Sequence, residues 1–154
     1  MPKPILLVED NLNDQALARI ALARAGLLKE AHVVGDGVEA LDYLFRRGNY
    51  VARPTTNPAL VILDINMPKL NGIEVLRQVR ANPITSKIPV VMLSGSGEEQ
   101  DRVQSYEAGA NGFVVKPLEF AEFVVAVADL GTFWALHNLP PGNSNQYRPR
   151  RKHA

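Results

Sequence analysis

Five residues of this 154-residue chain stand where chemistry can be done: Glu9, Asp10, Asp64, Ser94 and Lys116. Each closes or follows a short apolar run, in "PILLVED" (4–10), "ALVILD" (59–64), "IPVVMLSG" (88–95) and "NGFVVKP" (111–117). Singly, each has an ordinary structural explanation. An acid or a serine at a strand end is most often a cap or turn former, and a lysine before proline is most often solvated. Jointly, at the ends of four apolar runs, coincidence is the poorer account. Three clustered carboxylates repel one another unless a cation neutralises them or protons bind. An all-oxygen donor set with one or two carboxylates and retained waters suits Mg2+. Asp64 then has two roles open to it, metal ligand and nucleophile, since a carboxylate can attack a phosphoryl group and form an acyl phosphate. The cation and Lys116 would balance the charge on the transferring oxygens, and Ser94 would donate a hydrogen bond to one of them.

Those groups meet only if the elements that carry them converge. The four runs, with "AHVV" (31–34), read as five buried strands. Between them lie segments of helical period. Residues 13–26 place Leu17, Ile20, Ala21 and Arg24 at helical spacing and stop at Gly26. Residues 37–48 put Val38, Leu41, Leu44 and Phe45 on one face, and residues 71–82 put Ile73, Leu76 and Val79 inward. Residues 98–109 form a mostly polar helix, and 118–136 a long final one, while the two-proline stretch 49–58 is a loop. Continuous apolar strands need cover on both faces, which predicts a single doubly wound α/β sheet of five parallel strands with five helices on its two sides. In such sheets ligands bind outside the carboxyl ends of the strands, so all five groups share one rim.

Composition narrows the class further. A hydrophobic share of 46% is globular, and the absence of cysteine rules out disulfides and thiolate–metal sites as the glue of the fold. The four-residue apolar run near the N-terminus ends in two acids and is neither a signal peptide nor a membrane span, so a cytoplasmic protein with no membrane partner is expected. Net charge is +1, but residues 136–154 carry four of the 17 basic side chains and none of the 16 acids, leaving residues 1–135 at a formal −3. The chain therefore divides into a main domain, 1–135, and a C-terminal extension with a basic tail, 136–154. The tail reads as a solvated end; one short basic cluster is weak ground for a nucleic-acid partner.

"LLVEDN", "LDINMPKLNG", "VVMLSGSG" and "GFVVKPL" together resemble the receiver domain of two-component response regulators, over residues 4 to about 130. The fold expected is then flavodoxin-like, of the receiver type. The separations of 30 residues from Asp64 to Ser94 and 22 from Ser94 to Lys116 are usual in that family. The resemblance implies that Asp64 is the phosphoacceptor, that Asp10 binds Mg2+ directly and Glu9 through water, and that Asn66 offers its backbone carbonyl to the metal. It implies that Lys116 pairs with the phosphoryl group before a cis bond to Pro117. Ser94 and Phe113 would be the switch residues, the Phe113 ring turning inward on activation. The longer segment "RRGNYVARPTTNP" and the extension "TFWALHNLPPGNSNQYRPRRKHA" resemble single-domain regulators that work beside bacterial phytochromes. A sensor histidine kinase of that kind is the implied phosphodonor.

Residues 136–154 are too few for an output domain, so the output is expected through docking on another, unidentified protein, with no enzymatic activity beyond the domain's own phosphorylation and dephosphorylation. Phe120, Phe123, Val124, Val127, Phe133 and Trp134 exceed what one inward helix stripe needs, which favours a homodimer through the last helix and extension. Two alternatives stand beside this. A constitutive receiver-like binding module normally loses acidic-pocket residues, and none is lost here. A phosphatase with an Asp nucleophile needs a second Asp two residues on, where this chain has Asn66. The "SGSG" run at 94–97 lacks the Gly-Lys-Ser/Thr ending of a phosphate loop.

Overall fold

A computed structural model of the chain describes residues 3–116 and 119–140. Five parallel strands, β1 (Ile5–Val8), β2 (Ala31–Val34), β3 (Leu60–Asp64), β4 (Val90–Ser94) and β5 (Gly112–Val115), form one sheet in the order β2-β1-β3-β4-β5. The helices between them are α1 (Leu12–Arg24), α2 (Gly37–Phe45), α3 (Gly72–Ala81), α4 (Glu99–Glu107) and α5 (Phe120–Thr132). This is the doubly wound architecture expected from the alternation of apolar runs and helical segments. The strand order reverses between β1 and β3, the topological switch point at which such sheets bind ligands.

The two faces of the sheet divide by the period-2 alternation of the strands. Leu6, Val8, Val61, Leu63, Val90 and Met92 pack with α2 and α3. Ile5, Leu7, Leu60, Ile62, Val91 and Leu93 pack with α1 and α5. Every residue of β1, β3 and β4 is buried, so these three strands are the rigid floor on which the rim stands.

The buried faces of two helices differ from the spacing pattern. On α1 the buried residues are Ala18, Ala21 and Leu22, whereas Ile20 and Arg24 face solvent. The helix mixes four alanines with Asn13, Asp14, Gln15, Arg19 and Arg24 spread around it, so its sequence holds no clear stripe to read. Val38 is also exposed: in the first turn of α2 it is Gly37 that is buried, and Leu41 and Leu44 carry the packing further along. The loop after α2 is anchored rather than free. The Tyr50 hydroxyl donates to Glu39 Oε2 at 2.7 Å and meets His32 Nε2 at 2.9 Å, and Arg53 lies over the Tyr43 ring. Those contacts lay the segment against β2, an edge strand.

The last helix packs along α1 and widens into a π-helical turn at Phe133–His137. Phe120–His137 is long and apolar enough to cross a membrane by length and composition, yet in the fold it buries Phe123, Val124 and Val127 against the sheet and α1. Phe120 and Phe133 are about half exposed, at 49% and 50%. The basic tail beyond residue 140 and the Lys116–Pro117 bond lie outside the described residues.

Candidate functional site

Register sets the rim. Val8 is level with Leu63 across β1 and β3, so Glu9 follows β1 at the height of Asp64. Asp64 is level with Leu93, and Ser94 with Val115, so Ser94 and Lys116 each stand one step further along. Backbone bonds continue past the strands: Glu9 N–H donates to Val34 O, Ile65 N–H to Leu93 O and Lys116 N–H to Ser94 O. These carry the pairing past the strands, and the reacting groups lie at the last strand residue (Asp64, Ser94) or the first beyond it (Glu9, Lys116).

The sheet brings Glu9, Asp10 and Asp64 together, with one oxygen from each within 4.8 Å of the others. Lys116 faces them. Its Nζ lies 2.7 Å from Glu9 Oε1 and 3.4 Å from Asp64 Oδ2. Glu9 and Asp64 are 1% and 4% exposed, whereas Asp10 is open to solvent. Glu9 Oε2 accepts from the Asn11 N–H at 3.1 Å. Its Oε1 is buried and accepts no directed hydrogen bond; the Lys116 contact is short but poorly aligned, an ion pair only.

Burial therefore acts on charged groups that are only partly compensated. It pushes the Glu9 carboxyl up to about 7; Lys116 pulls the other way and the Asp64 charge reinforces the rise. Burial likewise raises Asp64, again opposed by Lys116. Burial alone would lower the Lys116 ammonium, but the surrounding carboxylates outweigh it and hold it above its usual value. Three carboxylates around one ammonium leave a surplus of negative charge. The donor set is all oxygen, a buried carboxylate oxygen lacks a directed partner, and the side facing Asp10 is open: these features fit a hard divalent cation such as Mg2+.

Close packing sharpens the geometry. A Cβ built on Gly72 would stand 2.2 Å from the Asp64 carbonyl oxygen and 2.9 Å from Ile65 Cα, so only glycine lets α3 start against the end of β3. The Gly72 N–H donates to Ile65 O at 2.8 Å, and the Asn71 side chain caps the helix through the N–H groups of Ile73 and Glu74. Ser94 is fully buried, and its hydroxyl is turned to the Ser96 carbonyl while accepting from the Ser96 N–H. Asn66 is exposed two residues beyond Asp64. Phe113 sits on β5 level with Met92, partly buried against the cluster that includes α2 and α3.

One residue at the site carries no mark in the sequence reading. Asp14, in the first turn of α1, accepts a 3.0 Å hydrogen bond from Lys116 Nζ. An acid in a first helical turn already has a sufficient explanation in the helix dipole, which hides any further role.

Residues 5–128 match the family described as the response regulator receiver domain. The chain is 36% identical over 133 residues to response regulator Rcp1 of Synechocystis sp., covering 86% of this chain and 89% of that protein. An Mn2+-bound form of Rcp1 superposes with a TM-score of 0.80 at 34% identity, over 92% of this chain and 100% of that one. The phosphorylated cyanobacterial phytochrome response regulator RcpA gives a TM-score of 0.85 at 36% identity, over 92% and 100%. The bacteriophytochrome response regulator RtBRR is 55% identical with a TM-score of 0.73, over 94% of this chain and 87% of that one.

Proposed function

This chain belongs to the response regulator receiver family, and from that premise we propose that Asp64 takes a phosphoryl group from a phosphohistidine of a sensor kinase in a Mg2+-dependent reaction. The observation that carries the reading is the meeting of Glu9, Asp10 and Asp64 with the Lys116 ammonium at one rim. An Asp64 carboxylate oxygen attacks phosphorus and forms the acyl phosphate P–O bond. The P–N bond to the donor imidazole, which carries a proton on its other ring nitrogen, breaks; the electron pair stays on the leaving nitrogen and a neutral ring departs. Lys116 pairs with one phosphoryl oxygen as charge builds there. Asp10 and Asp64 would hold the metal directly, Glu9 through water and Asn66 by its backbone carbonyl. When bound, the cation supplies positive charge to the remaining phosphoryl oxygens.

Switching follows from the same contacts. Ser94 trades its bond to the Ser96 carbonyl for one to the phosphoryl group, and Phe113 turns into the space released, remodelling the face made by α4 and α5. Intact mass after incubation with acetyl phosphate and Mg2+ tests the whole reading. Wild type gains one phosphoryl mass and Asp64→Asn gains none. An unlabelled wild type, or equal labelling of Asp64→Asn, overturns it.

Likeness to RcpA and RtBRR supports a bacterial phytochrome kinase as the donor, with residues 1–135 as the receiver and output through docking on another protein. The exposed apolar side chains of the last helix and its turn, Phe120, Val125, Phe133 and Leu136, support a second copy of the chain as a partner. Sedimentation velocity on wild type and a Phe133→Glu variant checks this: a dimer for the first and a monomer for the second is the expected pair, and a wild-type monomer at all concentrations refutes it.

A further inference from the structure

Lys116 has more anionic partners than the proposed reaction uses. Its Nζ lies 2.7 Å from Glu9, 3.0 Å from Asp14 and 3.4 Å from Asp64. Of the three, the contact with Asp14 is a directed hydrogen bond. The contact with Asp64, the one the reaction needs, is the longest. Asp14 is not among the acids whose oxygens gather within 4.8 Å, so the metal donor set does not account for it.

Asp14 is also held rigidly. Its backbone N–H donates to the Asn11 cap at 2.9 Å, which fixes it in the first turn of α1. Its side chain is 28% exposed, so its removal orphans no charge in the core, and Lys116 keeps Glu9 and Asp64 as partners. A fixed, partly solvated carboxylate that holds the ammonium better than the reacting carboxylate does is a rival, not a support.

The geometry points to Asp14 as a competitor that draws Lys116 toward α1, so that a phosphoryl group on Asp64 gains the lysine only by taking it from Asp14. The inference rests on the reading of Asp64 as phosphoacceptor and adds to it a positioning residue that acts through Lys116. Asp14 thereby sets how tightly the phosphorylated state is held.

Beryllofluoride, a mimic of the acyl phosphate, tests this at equilibrium. Its affinity in saturating Mg2+ is measured by 19F NMR for wild type, Asp14→Asn, Lys116→Met and the double variant, each first shown to be folded by its melting curve. Asp14→Asn is expected to bind about three- to tenfold more tightly than wild type, the coupling usual for side chains in direct contact. In the Lys116→Met background, removing Asp14 changes the affinity less than about twofold. An Asp14→Asn affinity equal to or below wild type, or an equal gain without Lys116, overturns the inference while leaving Asp64 as acceptor. A wild type that binds no beryllofluoride overturns the reading of Asp64 and takes this inference with it.

Discussion

Replacing Glu9 by glutamine keeps the shape of the side chain and removes its charge. In the folded protein, burial lifts this carboxyl from 4.5 to about 7, with Lys116 opposing and Asp64 adding to the rise. Over that interval the native state keeps a proton that the unfolded chain has released. A raised native pKa contributes stability that is complete below about 4.5 and is lost as pH climbs to about 7. At about 1.4 kcal/mol per pH unit the interval amounts to about 3 kcal/mol. Glutamine does not suffer that loss; the attraction of Lys116 is already contained in the rise, and solvent on the open Asp10 side screens part of it. The net expectation is that metal-free Glu9→Gln is more stable than wild type at pH 8 by about 1–2 kcal/mol, a rise of roughly 2–8 °C in melting temperature for a domain of this size. Thermal unfolding in EDTA at pH 5 and pH 8 measures it. At pH 5 the two proteins melt together, because native Glu9 is already neutral. Adding Mg2+ at pH 8 raises the wild type more than the variant, since the ion binds the anionic native pocket. A variant that melts below wild type at pH 8 in EDTA, or a gap that is the same at both pH values, refutes the electrostatic account of the rim.

Two further substitutions probe the frame around the site. Gly72→Ala places a methyl group 2.2 Å from the Asp64 carbonyl oxygen, so α3 must back away from β3; a loss of about 2–4 kcal/mol in urea unfolding is expected, together with weaker Mg2+ binding by calorimetry. Arg80 donates to the carbonyls of Ser86, Ile88 and Gly109 and to the Asn111 side chain, tying α3 to the loops that enter β4 and β5. Arg80→Met leaves those acceptors without their donor and is expected to cost about 2–3 kcal/mol in urea unfolding, with the Mg2+ affinity little changed because the contacts lie at the amino ends of β4 and β5.

The sheet was legible because β1, β3 and β4 are apolar runs that need cover on both faces, and their alternation with helical segments points to a parallel sheet. Once the strands are placed, parallel pairing puts Glu9, Asp64, Ser94 and Lys116 at one edge with no knowledge of side-chain contacts. Helix faces were legible where polar and apolar residues alternate sharply, as in α3, whose Ile73, Leu76 and Val79 are all buried. They were not legible in α1, where alanines surround Leu17, Ile20 and Leu22 and burial is decided by the neighbouring α5. Asp14 escaped notice for a related reason: its role depends on the reach of a lysine 102 residues away. The wide turn at Phe133–His137 has no proline or glycine to announce it.

The cost of the site is tied to its chemistry. Asp64 must be anionic to attack phosphorus, yet the burial that shields it from water raises its affinity for a proton. Lys116 reverses part of that rise, but one ammonium among Glu9, Asp14 and Asp64 cannot satisfy all three. The remaining negative charge is what attracts a divalent cation, and the same cation and lysine then face the oxygens of a phosphoryl group. A rim carrying Glu9→Gln, neutral at that position, would be calmer and more stable without metal, but it would draw the cation less strongly. The raised pKa of buried Glu9 is thus the counterpart of the pull that brings metal and phosphoryl group to Asp64, and a variant that relieved the one while fully preserving the other would contradict this coupling.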